Sequence, residues 1–137
     1  MYKRQLLAQG KLGEAEALSR EALDGSRRTL GDSHPDTLNS INSLASLLED
    51  QGKLGEAEAL FREALDGSRR TLGDSHPSTL GSIFNLADLL EKLGQLDEAE
   101  ALYREECKGC LRHLGASHPE VKDSLDNLRR FLRAHGR

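Results

Sequence analysis

Tryptophan is absent, and two tyrosines and three phenylalanines bring the aromatic share to only 4%. That poverty excludes the stacking platforms on which single-stranded nucleic acids are held, and it argues against a large globular core. Positive charge is not in surplus either. Nineteen lysines and arginines face 23 aspartates and glutamates, for a net charge of −4, so no overall basic footprint for DNA or RNA exists. No apolar run approaches the roughly 20 residues that a membrane span needs. The opening Met1-Tyr2-Lys3-Arg4-Gln5-Leu6-Leu7 is too short and too polar for a signal peptide. Cysteine is confined to Cys107 and Cys110, which cannot build a disulfide framework. A reducing, intracellular compartment, the cytoplasm, is the expectation. Glycine-rich phosphate loops, H-E-x-x-H and G-x-S-x-G are all missing, so no enzyme and no cofactor are expected.

What the chain does have is repetition. The 27 residues from Gly10 to Asp36 recur from Gly52 to Ser78, with changes only at Ser19/Phe61 and Asp36/Ser78. A more diverged copy starts at Gly94, which makes the period 42 residues both times. Self-similarity at this period marks a solenoid or array in which each unit buries its apolar face only against its neighbours. Such an object offers an extended binding surface and not an enzyme pocket.

Each unit divides into two helical stretches. In the first, from Pro35 to about Gln51, Leu38, Ile41, Leu44, Ala45, Leu47 and Leu48 fall at spacings of three and four, mostly on one helical face. Pro35 suits the first helical position, Asp36 complements the helix dipole, and Gly52 suits a left-handed stop. In the second, from Lys53 to about Leu72, Leu54, Ala57, Leu60, Phe61, Ala64, Leu65, Ser68 and Leu72 keep the same rhythm. Gly55 and Gly67 each cost about 1 kcal/mol relative to Ala inside a helix, which leaves open a kink after Asp66. Applied throughout, this predicts Met1 to Gln9 as the remnant of a first-type helix. Lys11–Leu30, Lys53–Leu72 and Gln95–Leu114 read as second-type helices, and Pro35–Gln51, Pro77–Leu93 and Pro119–His135 as first-type. The expected organisation is one repeat domain over 1–137, with a partial repeat at 1–31, repeats at 32–73 and 74–115, and a capping helix at 116–137. Arg129, Arg130 and Arg133 fit the polar outer face of a cap. A start in mid-repeat suggests a piece of a longer array.

Leu44-Ala45, Gly52, Ala57, Phe61 and Ala64, repeated as Leu86-Ala87, Gly94, Ala99 and Tyr103, stand at the spacing of tetratricopeptide repeats. Those repeats usually run to about 34 residues. The longer unit, closed by Thr29–Pro35, Thr71–Pro77 and His113–Pro119, resembles the kinesin light chain and nephrocystin-like subclass. The resemblance implies an all-α, right-handed superhelical solenoid of antiparallel helix pairs. Some positions depart from the family. Leu48, Leu90 and Leu132 stand where it often has Tyr, Glu106 replaces the small Ala64, and Arg129 replaces Ala87. The last two changes are expected where packing against a following repeat stops.

In the resembling family the first helices line a concave groove for an extended peptide. Carried over, the inward positions are Asn39, Asn42, Ser43, Ser46 and Glu49, then Gly81, Phe84, Asn85, Asp88 and Glu91, then Asp123, Asp126, Asn127, Arg130 and Arg133. An Asn side chain can pair with a peptide N–H and C=O together, so Asn42, Asn85 and Asn127 are the preferred anchors. Solvated surface amides are the competing reading. Glu49, Asp50, Asp88 and Glu91 set acidic charge against Arg129, Arg130, Arg133 and Arg137. No double-lysine clamp for a C-terminal carboxylate is evident.

Cys107, Cys110, His113 and His118 spell a zinc-like C-x2-C-x2-H-x4-H. However, Cys107 aligns with Leu65 and Cys110 with Ser68, both interior, where a small thiol fits without metal. No metal is expected. His34, His76 and His118 recur too far apart to share an ion and are expected to close the inter-repeat loops by hydrogen bonding. The whole reads as a protein–protein interaction module whose protein or peptide ligand lies in the groove as an extended or short helical segment, without nucleic acid or membrane, and monomeric or weakly self-associating. The alternative is a structural spacer or an array that stacks end to end.

Overall fold

The computed structural model describes the backbone from Tyr2 and the side chains from Gly10 to Arg137. Six helices and no strand occur among these residues: α1 (Tyr2–Leu30), α2 (Pro35–Asp50), α3 (Leu54–Leu72), α4 (Pro77–Lys92), α5 (Leu96–Leu114) and α6 (Pro119–Ala134). From α2 onward, every helix end lies within one residue of its sequence-predicted place.

The punctuation is local chemistry. His34, His76 and His118 each sit in extended backbone before a proline, and each ring Nδ1 accepts the backbone N–H two residues on, at 3.1–3.2 Å. The loop histidines are thus the N-caps of α2, α4 and α6. At the other end, Gly52 and Gly94 take φ of +80° and +78°. The following N–H then turns back to a helix carbonyl, Lys53 to Leu48 and Gln95 to Leu90.

One expected boundary is not there. The break between Met1–Gln9 and Lys11 is replaced by a continuous α1 that runs through Gly10, while Met1 lies outside the described residues. Glycine occupies right-handed helix as readily as the left-handed turn, and Gly10 is not among the glycines with positive φ. The kink weighed for the second helix is also absent, since α3 is unbroken through Gly55 and Gly67. Gly67 has a packing reason. A Cβ there would lie 2.6 Å from Leu38 Cδ2, so the bare backbone lets α2 approach α3. Gly109 meets Leu80 in the same way.

The chain folds as two compact units, Met1–Gly67 and Ser68–Arg137. In the first, α1 packs on α2, and Ile41, Leu44, Leu48, Ala57 and Phe61 are fully buried. Arg27 of α1 bonds both carboxylate oxygens of Glu63 on α3 and also reaches Asp32. In the second unit, α5 packs on both α4 and α6. Ile83, Leu86, Leu90, Ala99, Tyr103 and Phe131 fill its core. Tyr103 stands 5.1 Å from the Phe131 ring and 6.1 Å from that of Phe84, centroid to centroid. Such aromatic contacts add roughly 0.5–1.5 kcal/mol beyond the area they bury.

Candidate functional site

The second unit carries a cleft of about 320 Å³ between α4, α5 and α6. Pro77, Leu80, Gly81 and Phe84 of α4 form one wall. Asp123 and Asn127 of α6 face them, and Glu106, Cys110 and His113 of α5 lie between. Gly81, Phe84, Asp123 and Asn127 are inward positions of the expected groove; the α5 residues are not. Residues three and four apart share a helix face, which is why Leu80, Gly81 and Phe84 arrive together.

Glu106 stands at the base of this site and corrects the sequence reading. It is only 8% exposed, although a carboxylate at the position of Ala64 was expected where packing ends. Helix α6 packs over it. Ser124 Oγ donates to Glu106 Oε2 at 2.8 Å, and the Cys110 thiol points to the same oxygen at 3.6 Å. Oε1 is buried and has no hydrogen-bond partner among the described residues. Burial pushes the Glu106 carboxyl above its ordinary range, and the bonds from Ser124 and Cys110 only partly counter that. A polar group can replace Ala64 there because Ser124 supplies a donor from the facing helix.

The thiols are buried as the alignment with Leu65 and Ser68 implied, and both are free. Cys107 Sγ bonds the Ser124 carbonyl at 3.0 Å. Burial, helped by the Glu106 charge, pushes its pKa up to about 11, and burial raises Cys110 as well. Both changes disfavour the thiolate that metal binding and thiol exchange require. His113 is exposed, and no group of three potential ligands able to hold a metal occurs among the described residues.

A second polar centre lies at the far end of α4. Glu91 accepts from Tyr103 Oη at 3.0 Å and from Arg130 at 3.3–3.4 Å, and it meets His135 Nε2 at 2.8 Å. Burial opposes the Glu91 charge, but the bonds from His135, Arg130 and Tyr103 outweigh it and hold the carboxyl below its ordinary value. Arg130 therefore has an internal partner. Arg137 likewise binds Asp97 and Glu100, so the arginines of the last turns are partly neutralised by their own unit.

The remaining candidates are distributed as follows. In the first unit, Asn39 and Ser46 are exposed on α2 and Asn42 is half-buried. Asn39 lines a shallow recess of about 250 Å³ with Ser43 of α2 and Ser19 and Ala22 of α1. In the second, Asn85 and Asp88 are half-buried, and Asp88 pairs with Lys92 at 3.2 Å. Asp126 is exposed 3.8 Å from Arg129. Phe84 and Asn127 are the two candidates that share the α4–α6 cleft. The α5 side of that cleft was missed. Its only signal in the sequence was Glu106 itself, an acid in the register of a small core residue.

Comparison with known proteins follows the same lines. The tetratricopeptide repeat family profile matches residues 4–69 and 41–112. A search of curated proteins gives no match. Among solved structures, the nearly identical TPR-like repeats of a kinesin light chain-like protein from Podosopora anserina are similar, with a TM-score of 0.83 and 29% identity over 97% of this chain. A single-substitution variant of those repeats gives a TM-score of 0.82 at the same identity. BtubC (BKLC) from P. vanneervenii shares the fold, with a TM-score of 0.82 and 22% identity over 93% of this chain. The chain spans 63% of the length of the first and 51% of the last. No helix among the described residues is long and apolar enough to cross a membrane.

Proposed function

Because the chain belongs to the tetratricopeptide repeat family, as an array of the kinesin light chain type, we propose that it captures a peptide segment of a partner protein on the groove faces of its first-type helices. Tetratricopeptide repeats are protein-interaction modules, and the coarse role follows from the family. The finer reading rests on one observation. Phe84 and Asn127, on two different first-type helices, meet in a single cleft. Phe84 supplies apolar area, and Asn127 supplies a donor and an acceptor for peptide backbone. Asn85 lies beside Phe84 on α4, and Asn39 is exposed on α2, whereas the Oδ1 of Asn42 is buried. The mechanism is non-covalent.

End-to-end stacking through the arginine ladder is disfavoured. Arg27 and Arg69 bond Glu63 and Glu105, but the next residue in that register is Leu111, which carries no charge.

The test is selection of peptides from a displayed random library against the full chain. A captured peptide should then be titrated against Asn85→Ala combined with Asn127→Ala. Hydrogen bonds worth about 0.5–1.5 kcal/mol each predict a loss of roughly tenfold or more, at unchanged stability. Lys108→Ala, exposed on α5 outside the cleft, should bind as the parent does. Normal binding by the Asn variant together with loss in the Lys108 variant would place the functional face elsewhere.

A further inference from the structure

We infer that the α4–α6 cleft is a receptor for one arginine side chain of the partner peptide, an assignment that rests on the peptide-capture reading and specifies its ligand. Three acids contribute to the cleft wall, Glu106, Glu120 and Asp123, and no lysine or arginine does among the described residues. The acids are not merely a surface cluster. Glu106 is more than nine-tenths buried, and its Oε1 accepts no hydrogen bond among the described residues. An orphaned buried acceptor costs free energy until a donor reaches it. Its companion Oε2 is already held by Ser124 and Cys110, so the carboxyl is oriented in advance.

The remaining surface fits the rest of an arginine. Leu80 and Phe84 offer an apolar flank for the three-carbon stem, and the Phe84 face attracts a guanidinium. A cleft of about 320 Å³ sits at the lower bound of ligand pockets, a size for one long side chain and not for a cofactor. Guanidinium presents several donors in a fixed fork and loses less on desolvation than an ammonium, so it can serve Glu106 Oε1 and a rim acid at once. Glu120 and Asp123 are exposed at that rim. They favour a basic residue and repel an acidic one.

The direct test uses N-acetyl-arginine methylamide as probe, titrated into the 15N-labelled full chain. The citrulline and glutamate analogues are the comparison probes, the first being neutral and nearly isosteric. The arginine probe should shift the amides of Gly81, Phe84, Ser124 and Asn127 in a saturable way, and the other two should not. Glu106→Gln should weaken the arginine probe about tenfold. If that variant does not fold, Glu120→Gln with Asp123→Asn, both at exposed positions, should weaken it several-fold. Silence of the cleft amides, or equal shifts with citrulline, overturns the assignment. The two readings fail separately. Captured library peptides that lack arginine, with a silent arginine probe, sink this inference and leave peptide capture standing. A responsive cleft with no captured peptide does the reverse.

Discussion

Arg69 at the end of α3 bonds both carboxylate oxygens of Glu105 on α5, 36 residues further on, and the same guanidinium reaches Asp74 in the loop that follows α3. The hydrogen bonds that Arg69 donates to Glu105 raise its pKa further above neutrality, against the cost of burial. A forked, part-buried pair exceeds the usual surface salt bridge. Arg69→Ala should therefore cost about 1 kcal/mol in urea melts of the full chain. Arg69→Lys should recover less than half of it, because an ammonium cannot fork. Equal stability of the parent and Arg69→Ala would show that the pair contributes nothing net.

Glycines in the second-type helices should respond in opposite directions to the same change. Gly25 has open space around a built Cβ, so Gly25→Ala should stabilise by about 0.5–1 kcal/mol through helix propensity. Gly109 faces Leu80, whose methyl must move. Gly109→Ala should lose about 1 kcal/mol through overpacking, and a Leu80→Val background should relieve part of that. Thermal melts of the parent, the two glycine variants, Leu80→Val and the Leu80→Val, Gly109→Ala double variant decide it. Stabilisation by Gly109→Ala would contradict the close approach of α4 to α5.

Glu106 should leave a mark on the pH dependence of stability. Its carboxyl is raised by burial in the folded chain, so the folded state holds that proton more tightly than the unfolded state. The associated stability is complete below the unfolded value, about 4.3, and is lost as pH rises through the folded one. Glu106→Gln removes this titration and keeps a group able to pair with Ser124. Its stability relative to the parent should rise between about pH 4 and neutrality. Parallel curves of urea midpoint against pH would mean that the carboxyl is not desolvated.

The histidine caps are testable by exchange. His76 Nδ1 accepts the Ser78 N–H at 3.1 Å. His76→Ala should cost about 0.5–2 kcal/mol, whereas His76→Asn, a preferred cap, should stay near the parent. A result in which Asn is as damaging as Ala would assign His76 a role other than capping.

The helix ends were legible because a proline opens each first-type helix, a glycine follows each stop, and a fixed period checks them. The continuity of α1 was not, since Gly10 offers the same residue as Gly52 while only the backbone angle distinguishes them. Half of the cleft could be read, because Phe84 and Asn127 fall on predictable faces of amphipathic helices. The other half could not. Glu106 looks like a surface substitution until Ser124, 18 residues further on, is seen to cap it. No periodicity in a single chain encodes that pairing.

The one unlike residue within the shared helical stretch has a consequence for how the chain sorts itself. Lys11–Leu30 and Lys53–Leu72 are interchangeable in every position but Ser19 and Phe61. Phe61 is 1% exposed, whereas Ser19 borders an open recess. A segment that folds into the other's place must bury a hydroxyl where a benzyl belongs, or strand a benzyl in water, and emptying a phenylalanine site costs about 3–5 kcal/mol. The address of each copy is thus written in a single aromatic ring. Ser19→Phe would erase it, leaving two equivalent strings and a refolding reaction with a choice of wrong partners.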